Sequence, residues 1–368
     1  MNQTPDGPLD GNAIVYCEGA FGTPNGKTAH GLVRRTARYR VVAVIDSERA
    51  GRDAGEILDR RPSGIPVVGD LEAALAVAAA SGGATHFVIG LAPDGGRLPA
   101  AGRSAVREAI EAGLNVDSGL HDFLSDDPEL TERAAAKGVR LRDVRKPPPR
   151  SELHFFCGKI EQVGAVRIAV LGTDSAVGKR TTAWILVEAL RRAGLATELV
   201  GTGQTAWMQG ARYTLVLDSL INDFVAGEIE HAVWSAWKEG GAEVVVVEGQ
   251  GSLMNPAYPG GFEILAAGRP DFVVMQHAPT RREYDGFPGY PLHDLATQIE
   301  AVELLSGRPV AAVTINHEGL EPAEVPEICR RIRADTGLPT VDVLLEGGDG
   351  LVAELMSRIE TIRRERPV

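Results

Sequence analysis

Cysteine is scarce in this chain. Cys17, Cys157 and Cys329 are its only three, and they are scattered without the spacing of a metal site. So small and odd a count argues against a disulfide framework, so each is read as a small buried hydrophobe and the cytoplasm is the expected location. Positive charge is also short. Lys+Arg 38 against Asp+Glu 50 leaves a net charge of -12, which argues against a nucleic-acid partner. No apolar run approaches the roughly 20 residues needed to cross a bilayer, so no membrane partner is expected. The opening MNQTPDGPLDGN lacks the regions of a signal peptide, and residues 1–11 read as a frayed tail. Internal repeats are missing too.

What is present is alternation over 368 residues, long enough for two domains. Short β-branched runs end in glycine-rich or polar turns and lead into alanine-rich stretches, the pattern of an α/β fold with parallel sheets. Strands are expected at 13–17, 41–46, 86–91 and 139–144, with helices at 28–38, 71–80, 104–112 and 128–137. The run KPPP at 146–149 continues neither a helix nor a central strand and marks a linker. The expected domains are therefore 1–148 and 149–368. In the second, strands are expected at 166–171, 196–200, 213–218, 244–248, 272–276 and 310–315. Helices are expected at 179–192, 223–238, 292–304, 322–335 and 351–364.

The sharpest motif is RIAVLGTDSAVGKRTTAWILVEALRRAGL. An apolar strand feeds a turn with Gly172, Thr173, Asp174, Ser175 and Gly178, then Lys179, Arg180 and Thr181 open a helix. Inward-pointing amides, the helix N-terminus and a lysine together make a phosphate cradle. Lys179, on what reads as an exposed turn, is expected to serve the ligand and not folding. Two departures from the common spacing stand out. Five residues separate the glycines, and Arg180 follows the lysine where a magnesium-ligating hydroxyl usually sits. The longer loop resembles that of dethiobiotin synthetase and related ATP-dependent ligases. The extra cation suits a ligand carrying several phosphates.

Other strand ends bring further candidates to the carboxyl edge of the second sheet, where α/β proteins bind ligands. Glu248, closing an apolar strand before GQGSL, is the first choice for a general base, with Asp223 second and His277 third. Gly249 and Gly251 offer amides for an oxyanion hole. Arg281 and Arg282 are candidate clamps for a substrate carboxylate, and Gln204, which follows another strand with Thr205 and Gln209, is a further substrate-binding candidate. Trp207, Trp234 and Trp237 read as core or interface residues. In the first domain CEGAFGTPNGKTAHGLVR lacks the G-x-G-x-x-G spacing. A nicotinamide site is therefore not expected, although Asp46 ends a strand where a ribose-binding carboxylate would sit. Lys27, Thr28 and His30 open a helix and face a ligand or the other domain, unless Thr28 merely caps it.

Taken together, GKTAHGLVR, SELHFFCGKIEQV, GTDSAVGKRTTA, EGQGSL and QHAPTRREYDGFP resemble a bacterial family long described as of unknown function and now associated with D-glutamate N-acetyltransferase. The resemblance spans nearly the whole chain. It implies a Rossmann-like N-terminal domain and a P-loop-type C-terminal domain. It also implies acetyl transfer from the co-substrate acetyl-CoA to the amine of an acidic amino acid, and a functional pairing with a racemase acting on the N-acetylated product. Under that reading the loop holds the acetyl-CoA phosphates, Arg281 and Arg282 hold the acceptor, and no metal is called for. A ligase or kinase of the dethiobiotin synthetase type is the alternative, with Mg2+ held by Thr181, Asp174 or Glu248. An inert nucleotide-binding regulator is a third reading. A homodimer is the expected assembly.

Overall fold

The computed structural model describes residues 10–366 and shows two compact α/β units. Of the described residues, the first comprises 10–147 together with Gln204–Gly210, and the second comprises Pro148–Gly203 with 211–366. Among the described residues no helix is long and apolar enough to cross a membrane.

The first unit is a parallel sheet of β1 (Gly11–Tyr16), β2 (Tyr39–Ile45), β3 (Val67–Val68), β4 (His86–Ile89), β5 (Asn115–Ser118) and β6 (Leu141–Asp143). Its order, β3-β2-β1-β4-β5-β6, is that of dinucleotide-binding sheets. The middle strands are apolar runs because helices cover both faces. Ala13, Ile14, Val15, Phe87 and Val88 are wholly buried. Residues 1–9 of the expected tail lie outside the described residues. Asp10 and Gly11 do not fray: Gly11 opens β1, and Asp10 pairs with Arg142 and Arg38. Strand β5 was not expected because NVDS carries no apolar pattern. Its Asp117 is buried all the same, since Arg142 bonds both carboxylate oxygens at 2.7 Å and the Tyr39 hydroxyl donates at 2.5 Å.

The second sheet holds β7 (Val166–Gly172), β8 (Thr197–Gly201), β9 (Tyr213–Thr214), β10 (Val244–Glu248), β11 (Phe272–His277), β12 (Val310–Ile315) and β13 (Thr340–Val341), all parallel. The order β13-β12-β11-β7-β10-β8-β9 puts the phosphate-loop strand β7 in the middle. Register sets Gly172 beside Gln276, Gln276 beside Thr314, and Glu248 beside Val170. The strand expected at 213–218 stops at Thr214, because Leu217–Ser219 turns into a short 3-10 helix. The helix expected from residue 292 starts at Leu295, where the Asp294 carboxylate accepts from the Thr297 amide and caps it.

The SELHFFCGKIEQV segment docks on the helix Asn222–Lys238. Glu228 accepts from the His154 amide, and the buried Glu230 accepts from the amides of Cys157 and Ile160. Cys157 is therefore exposed rather than buried, unlike Cys17 and Cys329. Gly227 makes the close approach feasible, since a Cβ there would fall 2.1 Å from the His154 carbonyl oxygen. In an open helix interior Gly→Ala stabilises by roughly 0.5–1 kcal/mol. Here the sign reverses: Gly227→Ala is expected to destabilise by about 1–3 kcal/mol through overpacking. Urea denaturation measures it, and a stabilised variant would mean that the segment does not dock on this helix.

Candidate functional site

The loop after β7 rises to the helix Lys179–Arg192, whose N-cap, Gly178, has no side chain with which to cap it. With φ +104° Gly178 occupies a backbone region that other residues rarely adopt. The first-turn amides thus point at the site without a side-chain partner, as anion-binding helix starts require. Thr173, Asp174 and Lys179 are buried, Ser175, Gly178, Arg180 and Thr181 are partly so, and all belong to this one turn.

Asp174 holds the turn in shape. One carboxylate oxygen accepts from the Ser175 amide at 2.7 Å and from Asn255 Nδ2 at 2.9 Å. The other accepts from the Asp285 amide at 2.8 Å and from Arg281 Nη1 at 2.9 Å. All four lone-pair positions are taken, so the magnesium-ligand role weighed for Asp174 has no open site. Arg281 is equally committed. It also bonds the Ser175 carbonyl at 2.7 Å and forks onto Glu318 at 2.8 and 3.1 Å. The structure thus gives Arg281 a bracing position, while Arg282 stands exposed on the same loop.

Lys179 departs from its expectation. Its ammonium donates to the carbonyls of Asp174 (2.7 Å) and Gly251 (2.6 Å), tying the phosphate loop to the loop after β10, and it is buried. Glu248 is buried beside it and accepts from the Thr202 amide at 3.2 Å. Burial raises the pKa of its carboxyl above the usual range, opposed by Arg180, the Thr202 amide and Lys179. His277 accepts from or donates to Thr173 Oγ1 at 3.0 Å, and burial lowers its pKa to about 4. An imidazole so weak is a poor base, which leaves Glu248 the better placed of the two. Asp223 stands exposed on the first turn of its helix, outside the hydrogen-bonded set around the loop.

Two corrections concern backbone placement. The Gly249 amide donates to the Val170 carbonyl at 3.0 Å, so it is spent in the sheet and not open to an oxyanion. Gln204 lies on a short helix, Gln204–Met208, that belongs to the first unit. There Thr205 bonds Thr28, Gln209 bonds the Gly31 and Arg35 carbonyls, and the guanidinium groups of Arg38 and Arg142 lie 3.7 and 4.4 Å from the centroid of the Trp207 ring. Thr28 is thus a packing residue and not the helix cap. Asp46 is likewise tied down, accepting from the amides of Phe21 and Glu48.

Sequence reasoning missed Gln276. Its carbonyl oxygen accepts two hydroxyls, from Thr182 and Thr314, each at 2.5 Å. With the oxygen so engaged, Nε2 lies on the side of Gly178, 3.8 Å from where a Cβ would stand. Asn316, whose Nδ2 donates to the Val177 carbonyl, flanks the same glycine. The register of β11 against β7 and β12 places these groups, and only the pairing of strands reveals it. Nearby loops also carry an edge-to-face run of Tyr258, Phe287 and Tyr290, with both tyrosines about half exposed.

Comparison with known proteins follows the same division. The model of the DUF1611 P-loop domain, a domain of unknown function, matches residues 154–352, and that of the DUF1611 Rossmann-like domain matches residues 47–147. A protein from Pseudoalteromonas sp named D-glutamate N-acetyltransferase is 32% identical over 287 residues, covering 75% of this chain and 83% of its own. One of the same name from Tritonibacter scottomollicae is 31% identical over 293 residues, with the same coverage. The crystal structure of a DUF1611 family protein from Anabaena variabilis matches with a TM-score of 0.85 at 29% identity, covering 94% of this chain and 99% of that one.

Two outcomes follow from the geometry. Lys179→Ala should lower stability by about 1.5–3 kcal/mol, since charged hydrogen bonds to two carbonyls are lost. An unchanged denaturation midpoint would mean that the tie between the loops is not made. The His277 effect has a definite sign. Its folded pKa of about 4 lies below the unfolded 6.5, so between those values the unfolded chain binds more protons. Its contribution is full above pH 6.5 and is lost as pH falls toward 4. Stability measured across that window should fall more steeply in the native protein than in His277→Gln.

Proposed function

The chain belongs to the DUF1611 family, and from that premise we propose that it is an N-acetyltransferase carrying an acetyl group from acetyl-CoA to the amine of an acidic amino acid, D-glutamate or a close relative. The observation that carries this reading is the cation pair Lys179–Arg180 in a loop whose one carboxylate, Asp174, is fully spent on hydrogen bonds. A triphosphate with magnesium needs a hydroxyl after the lysine and an open carboxylate. The metal-free phosphates of acetyl-CoA need cations and amides instead, and the names of the two relatives point the same way.

The residues have definite tasks under this reading. The helix N-terminus, Lys179 and Arg180 bind phosphate oxygens, and the Tyr258–Phe287–Tyr290 edge offers a face for adenine. Arg282 pairs with an acceptor carboxylate, Arg281 being engaged by Asp174 and Glu318. The acceptor amine attacks the thioester carbonyl, and Glu248 takes its proton. A carboxylate whose pKa is raised by burial is a stronger base than one in water. The Gln276 Nε2 donors stabilise the oxyanion. Collapse breaks the C–S bond, and the thiolate leaves to take up a proton as free CoA.

A thiol-release assay with a panel of D- and L-amino acids tests the proposal. Release should depend on an acidic acceptor and survive EDTA, with no phosphate released from ATP–Mg2+ in a parallel assay. Glu248→Gln should lower kcat/KM by roughly 100- to 10,000-fold. Arg282→Ala should raise KM for the acceptor more than for acetyl-CoA. Acceptor-dependent phosphate release without thiol release would replace the transferase with a ligase.

A further inference from the structure

The loop after β12 carries a histidine, His317, that sequence reasoning did not select. It stands at the carboxyl edge of the second sheet, where ligands bind. Its chain neighbours are held to the phosphate loop on both sides. Asn316 Nδ2 donates to the Val177 carbonyl at 3.1 Å, and Glu318 holds Arg281, which bonds Asp174 and Ser175. The Glu318 carbonyl also accepts from Thr280 Oγ1 at 2.7 Å. Thr280 lies two residues before Arg282, so the loops that carry His317 and Arg282 are tied together.

The partner of His317 is Asp342, wholly buried before the helix Val343–Glu346. Asp342 Oδ1 accepts from the amides of Leu344 and Leu345 at 3.0 and 3.1 Å, and Oδ2 lies 2.6 Å from His317 Nδ1. A carboxylate has no hydrogen to give, so Nδ1 donates and the neutral ring keeps its lone pair on Nε2. Among the described residues Nε2 has no hydrogen-bond partner, yet it is not buried, on a side chain 26% exposed. The Asp342 anion would also steady the imidazolium formed when Nε2 takes up a proton. Two further titratable groups stand at this end. Glu346 accepts from the Asp342 amide at 3.3 Å. Burial, then the charges of Glu346 and Asp342, push the Cys329 thiol up to about 11, so it stays protonated near neutrality.

Acetyl transfer leaves one proton for such a group. The acceptor arrives as an ammonium ion and leaves as an amide, so its nitrogen gives up two protons. The departing thiolate consumes one, and the other must reach water. Glu248, 4% exposed, suits exchange inside the site, whereas His317 opens to solvent.

We propose that His317, oriented by Asp342, takes the first proton from the acceptor ammonium and passes it to water. This role rests on the acetyl-transfer reading. Nε2 gains the proton, and the electron pair of the broken N–H bond stays on nitrogen to attack the thioester carbonyl. Glu248 then takes the second proton, the C–S bond breaks and the thiolate is protonated.

Thiol release followed against pH tests it. Near pH 7 His317→Gln should lower kcat/KM for the acceptor about 100-fold or more, with KM for acetyl-CoA unmoved. The loss should shrink as pH rises and the acceptor amine sheds its proton unaided. Asp342→Asn keeps the helix cap, asparagine capping as well as aspartate. It should show the same pH-dependent loss, because its amide can donate to Nδ1 and move the ring hydrogen to Nε2. The aminooxy analogue of glutamate, neutral at its nitrogen near pH 7, has no first proton to lose, and His317→Gln should use it about as fast as the native protein does. An equal loss with both acceptors would make His317 a structural residue and overturn the proposal, as would native rates in His317→Gln. No thiol release from the native protein with any acceptor would overturn the acetyl-transfer reading itself, and this role with it.

Discussion

The candidate site depends on the buried carboxylate of Asp174. Its four hydrogen bonds reach its own loop, Asn255 in the loop after β10, and Arg281 and Asp285 in the loop after β11. Three segments distant in sequence are thereby fixed to one point. Glu318, from the loop after β12, adds a fourth by holding the far side of Arg281. Buried charge of this kind is tolerated only when paired and fully hydrogen-bonded, and here both conditions hold. Polar groups so placed need little reorganisation when charge arrives or develops, which is the physical basis of catalysis by a prepared environment.

Beside this hub runs a second chain of polar groups with a directional logic. Hydroxyls of Thr182 and Thr314 spend their hydrogens on the Gln276 carbonyl, which leaves the amide hydrogens to face the loop. Arg180 and Lys179 oppose the effect of burial on Glu248, and burial still prevails in raising its pKa. The site therefore combines fixed donors, two cations and one carboxyl whose proton is held more tightly than in water.

Much of the fold was legible because it rests on local pattern. Strands Val244–Glu248 and Val310–Ile315 and the helices Lys179–Arg192 and Pro128–Lys137 stand where β-branched runs and alanine-rich stretches place them. The glycine-rich turn was legible for the same reason. What escaped depends on partners far away in the chain. Strand β5 is held by Arg142 and Tyr39 acting on Asp117, and no periodicity in NVDS announces it. Arg281 read as a clamp because its carboxylate partners are 107 and 37 residues away. Lys179 read as exposed because the carbonyl of Gly251 comes from another loop.

The segment Gln204–Gly210 has a consequence in time. It follows β8 of the second unit, yet it belongs to the first, where Met208 is wholly buried in the core. A ribosome making this chain releases the proline linker well before it reaches residue 208. The Rossmann-like unit must therefore wait for the phosphate loop and the strand beyond it before its own core is complete. Domains usually finish folding in the order in which they are synthesised. Here that order is broken, and the earlier unit is completed by the later one's sequence.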